Sequence, residues 1–290
     1  MNRVKAWLIA GRFFSGPWML VNTLFGACLA GFDVGKWLLS FAIILSILTA
    51  AHYLNAWRDF VRGLDKVDEG SAAKPYTAGS QVLPRGWLQL RTIKISAAGF
   101  LVLSTLLLPF VPRRIDVYAL YGLSVSMALT YTDLFKPRGL GEVALFLGHG
   151  FGATSFAYSL IKPVDLTGLA GGILLGLWAG ILYTIDQWQD VTTDFAEKLK
   201  NLAYMVFKAN MRISQVWYFL VTASLVMQVG MILMGWFPSE TLATVFILPL
   251  AYVTGVLLDY QFDRGVILAL ITMWLYGASA SLGLLFLRTI

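Results

Sequence analysis

Nine apolar stretches of about 20 residues each run through this chain of 290 residues. A helix needs about 20 such residues to cross the hydrocarbon core of a bilayer. Hydrophobic residues make up 58% of the chain and charged residues 13%, whereas a soluble domain carries about 25% charge. We therefore expect an all-α, multi-pass membrane protein with nine transmembrane helices around a central cavity, in one domain over residues 1–290. The stretches are 13–31, 37–57, 91–110, 116–134, 141–161, 167–186, 214–236, 240–258 and 265–287.

Lysine and arginine residues predict the orientation of these helices. With the N-terminus on the cytoplasmic side, 17 basic residues fall on that side and five on the other. Basic residues favour the cytoplasmic face, so we expect the N-terminus there and the C-terminus outside. The net charge of +6 then reflects this face rather than nucleic-acid binding. Two polar segments, about 58–90 and 186–213, follow even-numbered helices and are predicted to cap a site on the cytoplasmic side.

Two acidic clusters lie where these polar segments begin. Asn55 and Asp59 are four residues apart, as are Asp186, Asp190 and Asp194. A spacing of four places side chains on one face of a helix. The clusters also correspond to each other, because Asp59 and Asp190 are separated by 131 positions, as are Asn55 and Asp186. We expect both clusters on one side of the membrane at equivalent helix ends.

Such clusters are costly without a ligand. Carboxylates at a helix C-terminus face the negative end of its dipole, and like charges four residues apart repel. Carboxylate and amide oxygens suit Mg²⁺, which binds through one or two carboxylates together with substrate phosphates. Basic residues beside both clusters suit a metal-bound anion such as a diphosphate. The alternatives are solvated acids at a membrane face and the ion site of a cation transporter.

The motifs resemble those of the UbiA superfamily of intramembrane prenyltransferases, whose members have nine helices and two Asp-rich motifs. The first motif often reads N-x3-D-x3-D; here Asn55 and Asp59 match, Gly63 takes the third position and Asp65 follows. This longer form resembles the branch that prenylates dihydroxynaphthoate for menaquinone, with its vitamin K relatives. Residues 190–194 match the second motif, D-x2-T-D.

Other segments also bear on the resemblance. Residues 74–79 resemble the stretch before the family's third helix, and residues 131–142 resemble its connection between the fourth and fifth helices. The sequence departs from the family at Ala56, where Asp is common, and at Asp186, where Asn is common. Residues 195–202 also lack the usual Gly-Lys turn.

The resemblance implies a Mg²⁺-dependent transfer of a polyprenyl group from a prenyl diphosphate to an aromatic quinone precursor, inside the bilayer and facing the cytoplasm. The implied metal ligands are Asn55, Asp59, Asp65, Asp186, Asp190 and Asp194. The implied diphosphate contacts are Arg62, Lys74, Lys136 and Arg138. The implied catalytic residues are Asp59, Asp190 and Tyr131, the last as a cation–π partner of the allylic cation.

Several alternatives stay open at the level of sequence. The acceptor is either an aromatic compound or a lipid precursor such as a glyceryl phosphate, as in ether-lipid synthesis. His149 and His52 lie in apolar stretches. His149 either orients or deprotonates an acceptor or pairs within the bundle, and His52 either lines the cavity or pairs within the bundle. Glu142 near a helix start is favoured by the helix dipole, which indicates a capping role.

Overall fold

The computed structural model describes residues 2–63, 81–188 and 201–287, and within these ranges every regular element is helical. The α-helices are α1 Arg3–Ala10, α2 Gly16–Ala30, α3 Val34–Val61, α4 Leu90–Leu106, α5 Ile115–Thr130, α6 Gly141–Leu145, α7 Ala153–Ile161, α8 Leu166–Trp188, α9 Leu202–Lys208, α10 Ile213–Leu233, α11 Leu248–Tyr260 and α12 Phe262–Leu282. Wider π-helical turns occur at Tyr131–Phe135, Phe146–Gly152 and Gly283–Leu287. Tighter 3₁₀ segments occur at Phe13–Ser15, Leu108–Phe110, Lys136–Arg138 and Ser239–Ile247.

Seven helical segments in the described part of the chain are long and apolar enough to cross a membrane. They are Val34–Val61, Leu90–Phe110, Gly141–Ile161, Leu166–Trp188, Ile213–Leu233, Ser239–Tyr260 and Phe262–Phe286, and the shorter helix α2 is also apolar. The prediction of an all-helical membrane protein is confirmed. The count of nine spanning helices and the cytoplasmic N-terminus stay predictions, as do the two cap segments, which are described only in part.

Six of the nine predicted stretches contain a π-helical or 3₁₀ segment. The stretch 240–258 begins as a 3₁₀ segment and becomes α-helical only at Leu248, because Pro249 in the first turn lacks the N–H that a continuous α-helix would need. In the stretch 116–134, α5 ends at Thr130 and a π-helical turn follows. That turn leads into the 3₁₀ segment Lys136–Arg138, which contains Pro137.

Glycines allow the central helices to approach closely. A Cβ atom on Gly26 of α2 would lie 2.1 Å from the carbonyl oxygen of Thr154 in α7. A Cβ atom on Gly150 would lie 2.2 Å from the Cα atom of Gly176 in α8. Both distances are too short for any side chain, so small residues at these crossings set the helix spacing, as is usual in membrane proteins.

Asn55 and Asp186 lie at similar distances from the first residues of their helices, α3 and α8. Asn55 lies 21 residues after Val34, the first residue of α3, which corresponds to about 32 Å of helix. Asp186 lies 20 residues after Leu166, the first residue of α8, or about 30 Å. Since the hydrocarbon core is about 30 Å thick, each residue lies one core thickness from the start of its helix.

Candidate active site

Asp59 is a buried carboxylate with one oxygen left unpaired. It lies in the last turns of α3, and its side chain is only 5% exposed. Its Oδ2 atom accepts a hydrogen bond from Lys136 Nζ at 2.8 Å. Its Oδ1 atom is buried and has no hydrogen-bond partner among the described residues. An unpaired buried carboxylate oxygen is costly, so Oδ1 is a position where an external ligand would be stabilised.

Asn55 lies one helical turn before Asp59 and contacts the same connection. Its Oδ1 atom accepts a hydrogen bond from the hydroxyl of Thr132 at 3.1 Å, and Thr132 is buried. Thr132 belongs to the π-helical turn, and Lys136 begins the 3₁₀ segment that follows it. The segment Tyr131–Arg138 therefore supplies the polar side chains that contact Asn55 and Asp59.

The same connection also reaches the second predicted cluster. The Tyr131 hydroxyl donates a hydrogen bond to the Tyr183 hydroxyl at 3.1 Å, and the two rings meet nearly at right angles, 88°, with centroids 6.2 Å apart. Tyr183 lies one turn before Asp186 on α8, and the Asp186 carboxylate is close enough to act electrostatically on both phenols. The segment Tyr131–Lys136 thus contacts Asn55 and Asp59 of α3 and Tyr183 of α8, three residues before Asp186.

Two of the predicted diphosphate contacts have partners outside this group. Arg62 donates to the carbonyl of Thr132 at 2.7 Å and to the carboxylate of Asp133 at 2.5 Å. Arg58 forms a second ion pair with Asp133, at 3.0 Å. Arg138 is exposed and donates to the carbonyl of Leu134 in its own turn at 2.8 Å. In this arrangement Lys136 alone of these basic residues touches Asp59.

The rest of the predicted site lies outside the described residues: Asp65, Lys74, Asp190 and Asp194. Among the residues that the structure describes, no group of three His, Cys, Asp or Glu side chains surrounds a common point. The donors that are described still fit Mg²⁺. Asn55 and Asp59 both carry hard oxygen atoms, and the buried Oδ1 of Asp59 has no hydrogen-bond partner in the part of the chain that the structure describes.

Some residues of the site were not predicted from the sequence. Thr132 and Tyr183 hold Asn55 and Tyr131 in place. The signal for Tyr183 was available, because a residue three positions before Asp186 lies on the same helical face. Glu142 lies in the first turn of α6, as expected for a dipole-stabilised carboxylate, but its Oε1 atom accepts from the amide of Leu202 at 3.0 Å. It therefore also caps α9, which begins just after the second predicted cluster.

Comparison with protein-family models finds no match for the chain. A curated relative, the UbiA prenyltransferase domain-containing protein 1 homolog of Drosophila melanogaster, is 24% identical over 214 residues. The matched region covers 70% of this chain and 58% of the relative. The chain therefore matches less than two thirds of the relative's length.

Solved structures share the fold over nearly the whole chain. The apo structure of a UbiA homolog from Aeropyrum pernix K1 has a TM-score of 0.71 at 16% identity, covering 96% of this chain and 99% of that one. A UbiA homolog from Archaeoglobus fulgidus, bound to DMAPP and Mg²⁺, has a TM-score of 0.64 at 15% identity, covering 94% and 98%. A digeranylgeranylglyceryl phosphate synthase has a TM-score of 0.63 at 16% identity, covering 98% of both chains. The chain thus has the UbiA fold and is an integral membrane protein.

Proposed function

We propose that the chain is a Mg²⁺-dependent intramembrane prenyltransferase that transfers a polyprenyl group from a prenyl diphosphate to an aromatic quinone-precursor acceptor. The observation that carries this proposal is Asp59, a buried carboxylate with Lys136 on one oxygen and no partner on the other within residues 2–63, 81–188 and 201–287. Asp186, in the last turn of α8, would supply a second carboxylate. The prenyl diphosphate and Mg²⁺ in the Archaeoglobus fulgidus neighbour support the choice of ligand.

The proposed binding residues are of two kinds: oxygen donors for the metal and cationic side chains for the diphosphate. Asn55, Asp59 and Asp186, with the predicted Asp65, Asp190 and Asp194, would hold the metal. Magnesium, when bound, would neutralise the charge that grows on the departing diphosphate. Lys136 and the predicted Lys74 would contact phosphate oxygens directly. Arg62 and Arg138 belong to this set only after they leave their present acceptors.

The described side chains suit a reaction through an allylic cation. The bond between the allylic carbon and oxygen breaks, and its electron pair leaves with the diphosphate. The acceptor carbon then bonds to the allylic carbon, and the acceptor releases a proton to solvent. Tyr131 presents a ring near the metal ligands, and Tyr183 fixes the orientation of that ring through the hydrogen bond between their hydroxyls. A π-face at this position stabilises a cation, and the surrounding apolar helices exclude water that would trap it.

Turnover by purified protein tests this proposal. The protein in detergent is incubated with a radiolabelled prenyl diphosphate and an aromatic acceptor, with and without Mg²⁺. We expect Asp59→Asn to reduce turnover at least 100-fold, because it removes a carboxylate that would bind metal throughout the reaction. Asp263→Asn is the matched control, since Asp263 is exposed at the start of α12, and it should keep wild-type turnover. Equal activity of both variants would refute the assignment of the site.

A glyceryl phosphate is the second candidate acceptor. It is supported by the digeranylgeranylglyceryl phosphate synthase among the solved neighbours, which covers 98% of this chain. Adding glyceryl phosphate to the acceptor panel separates the two possibilities by the product formed. Mg²⁺ uptake into proteoliposomes, without release of diphosphate from any donor, would instead favour a cation transporter.

The proposal extends to topology. Nine spanning helices with a cytoplasmic N-terminus would place Asn55, Asp59 and Asp186 at the cytoplasmic face. The support is the distribution of the basic residues, 17 on that side against five on the other. A site at this face would receive water-soluble diphosphate ends from the cytoplasm, while the apolar tail stays in the bilayer.

A further inference from the structure

The two histidines of the chain meet inside the helix bundle. His52 and His149 are 97 positions apart in sequence, and their ring centroids are 6.4 Å apart at an interplanar angle of 63°. The helices enclose both rings, yet both residues keep part of their surface accessible. Both side chains are therefore only partly buried.

His52 is held on the same face of α3 as the metal-ligand candidates. It precedes Asn55 by three residues, which places it about 4.5 Å further from the predicted membrane face along the helix axis. The Ser15 hydroxyl donates to the carbonyl of Arg12 at 2.7 Å and lies 3.2 Å from His52 Nε2. Because the hydroxyl proton is used on Arg12, Nε2 is the donor in this contact. The other ring nitrogen, Nδ1, is then left as an acceptor in the neutral ring.

His149 lies in the π-helical turn Phe146–Gly152, a kind of turn that is frequent at functional sites. Its carbonyl accepts from the Asn22 side chain at 2.7 Å. The close contact of Gly150 with Gly176 fixes the turn against α8. The backbone around His149 is thus held from two sides, which gives its ring a defined position.

The imidazole of His149 has no polar partner of its own. No described residue forms a hydrogen bond or ion pair with its ring nitrogens, and no carboxylate in the described ranges pairs with either histidine. Arg12 adds a positive charge that acts on both His52 and Tyr131. An enclosed imidazole without a protein partner is a binding position for an external polar group, since unpaired polar atoms are costly in an apolar surround.

We propose that His52 and His149 form the acceptor-binding end of the pocket and hydrogen bond a hydroxyl group of the acceptor. This inference rests on the proposed prenyl transfer and goes further by naming the residues that select the acceptor. A neutral imidazole offers one donor and one acceptor, as a hydroxyl group does. One face of α3 would then bind both substrates, with the acceptor hydroxyl at His52 and the diphosphate at Asp59.

Binding of a matched ligand pair tests the inference without turnover. The probes are 1-naphthol and 1-methoxynaphthalene, in which a methyl group replaces the hydroxyl proton. The readout is the quenching of tryptophan fluorescence in the purified full chain. We expect wild-type protein to bind 1-naphthol about tenfold more tightly, the worth of one neutral hydrogen bond. His149→Ala should remove this preference and His149→Gln should restore part of it. Ser126→Ala, whose hydroxyl bonds only within its own helix, should keep the full preference.

Kinetics separate this inference from the proposed function. If the inference holds, His149→Ala raises the KM for a hydroxyl-bearing acceptor about tenfold and leaves the KM for the prenyl diphosphate unchanged. An unchanged acceptor KM and an unchanged probe preference in both His52→Ala and His149→Ala would overturn the inference and leave the proposed prenyl transfer standing. A chain that transfers no prenyl group but loses its naphthol preference in His149→Ala would retain the hydroxyl-binding pocket and refute only the transferase.

Discussion

The ion pair between Asp59 and Lys136 is the most consequential contact at the scale of single residues. Its side chains are 5% and 23% exposed, and the pair joins the end of α3 to the segment after α5. A buried pair of this kind contributes little net stability, but removal of one member leaves an uncompensated charge. The pair therefore has two roles here: it holds the Asp59 carboxylate in place, and it places a cation where a phosphate would bind.

A double-mutant cycle measures this coupling. We expect Lys136→Gln to destabilise the metal-free protein by about 3 kcal/mol, because Asp59 then stays buried without a cation. Asp59→Asn alone should cost less, since Lys136 is the more exposed partner. The double variant should be more stable than the sum of the two single effects predicts, by about 1–3 kcal/mol. Thermal unfolding followed by tryptophan fluorescence supplies the values, and simple additivity would contradict the coupling.

Spacing along the helices predicted part of this site, and tertiary contacts determined the rest. The spacing of four correctly places Asn55 and Asp59 on one face of α3, and both contact the segment after α5. The same rule does not extend to Thr132, because the π-helical turn departs from 3.6 residues per turn. Nor does it predict that Asp133 binds Arg62, a residue 71 positions away. Local periodicity carries no information on such a distant pair.

At the scale of elements, the crossing of the π-helical turn Phe146–Gly152 over α8 sets the spacing between the segment that carries His149 and the helix that carries Asp186. Gly150 and Gly176 meet there backbone to backbone, so closely that a Cβ atom added to Gly150 would lie 2.2 Å from the Cα atom of Gly176. Backbone atoms cannot rotate away as a side chain can, so an added methyl group must push the two elements apart. Displacement of this turn would also move His149, which lies next to Gly150.

Alanine substitutions at two glycines test the crossing. Gly150→Ala should destabilise the protein by about 1–3 kcal/mol through overpacking and should weaken acceptor binding more than prenyl diphosphate binding. Gly122→Ala is the matched control, because a Cβ atom on Gly122 of α5 meets nothing within 4 Å. It should be neutral or stabilise the helix by up to about 1 kcal/mol. Equal unfolding temperatures for the two variants would show that the crossing tolerates expansion.

At the scale of the whole molecule, hydrophobicity alone predicted most of the architecture. Continuous apolar stretches correspond to the helices because the bilayer requires every backbone group to bond within its own helix. Hydrophobicity could not predict where a stretch changes helix type. Those changes at Tyr131, Phe146 and Ser239 depend on local proline and glycine positions and on packing. The change at Tyr131 supplies the contacts to Asn55 and Asp59, so the fold was more predictable than the chemistry it supports.

The distribution of basic residues also predicts the orientation of the whole chain in the membrane. Its single cysteine, Cys28, is buried, so an introduced cysteine reports its own side of the membrane. Lys36→Cys at the start of α3 should react with a membrane-impermeant maleimide in right-side-out vesicles, because the positive-inside rule places Lys36 outside. Arg264→Cys at the start of α12 should react only in inverted vesicles. The opposite pattern would place Asn55, Asp59 and Asp186 at the outer face, where cytoplasmic prenyl diphosphates do not reach, and would contradict the proposed orientation of the site.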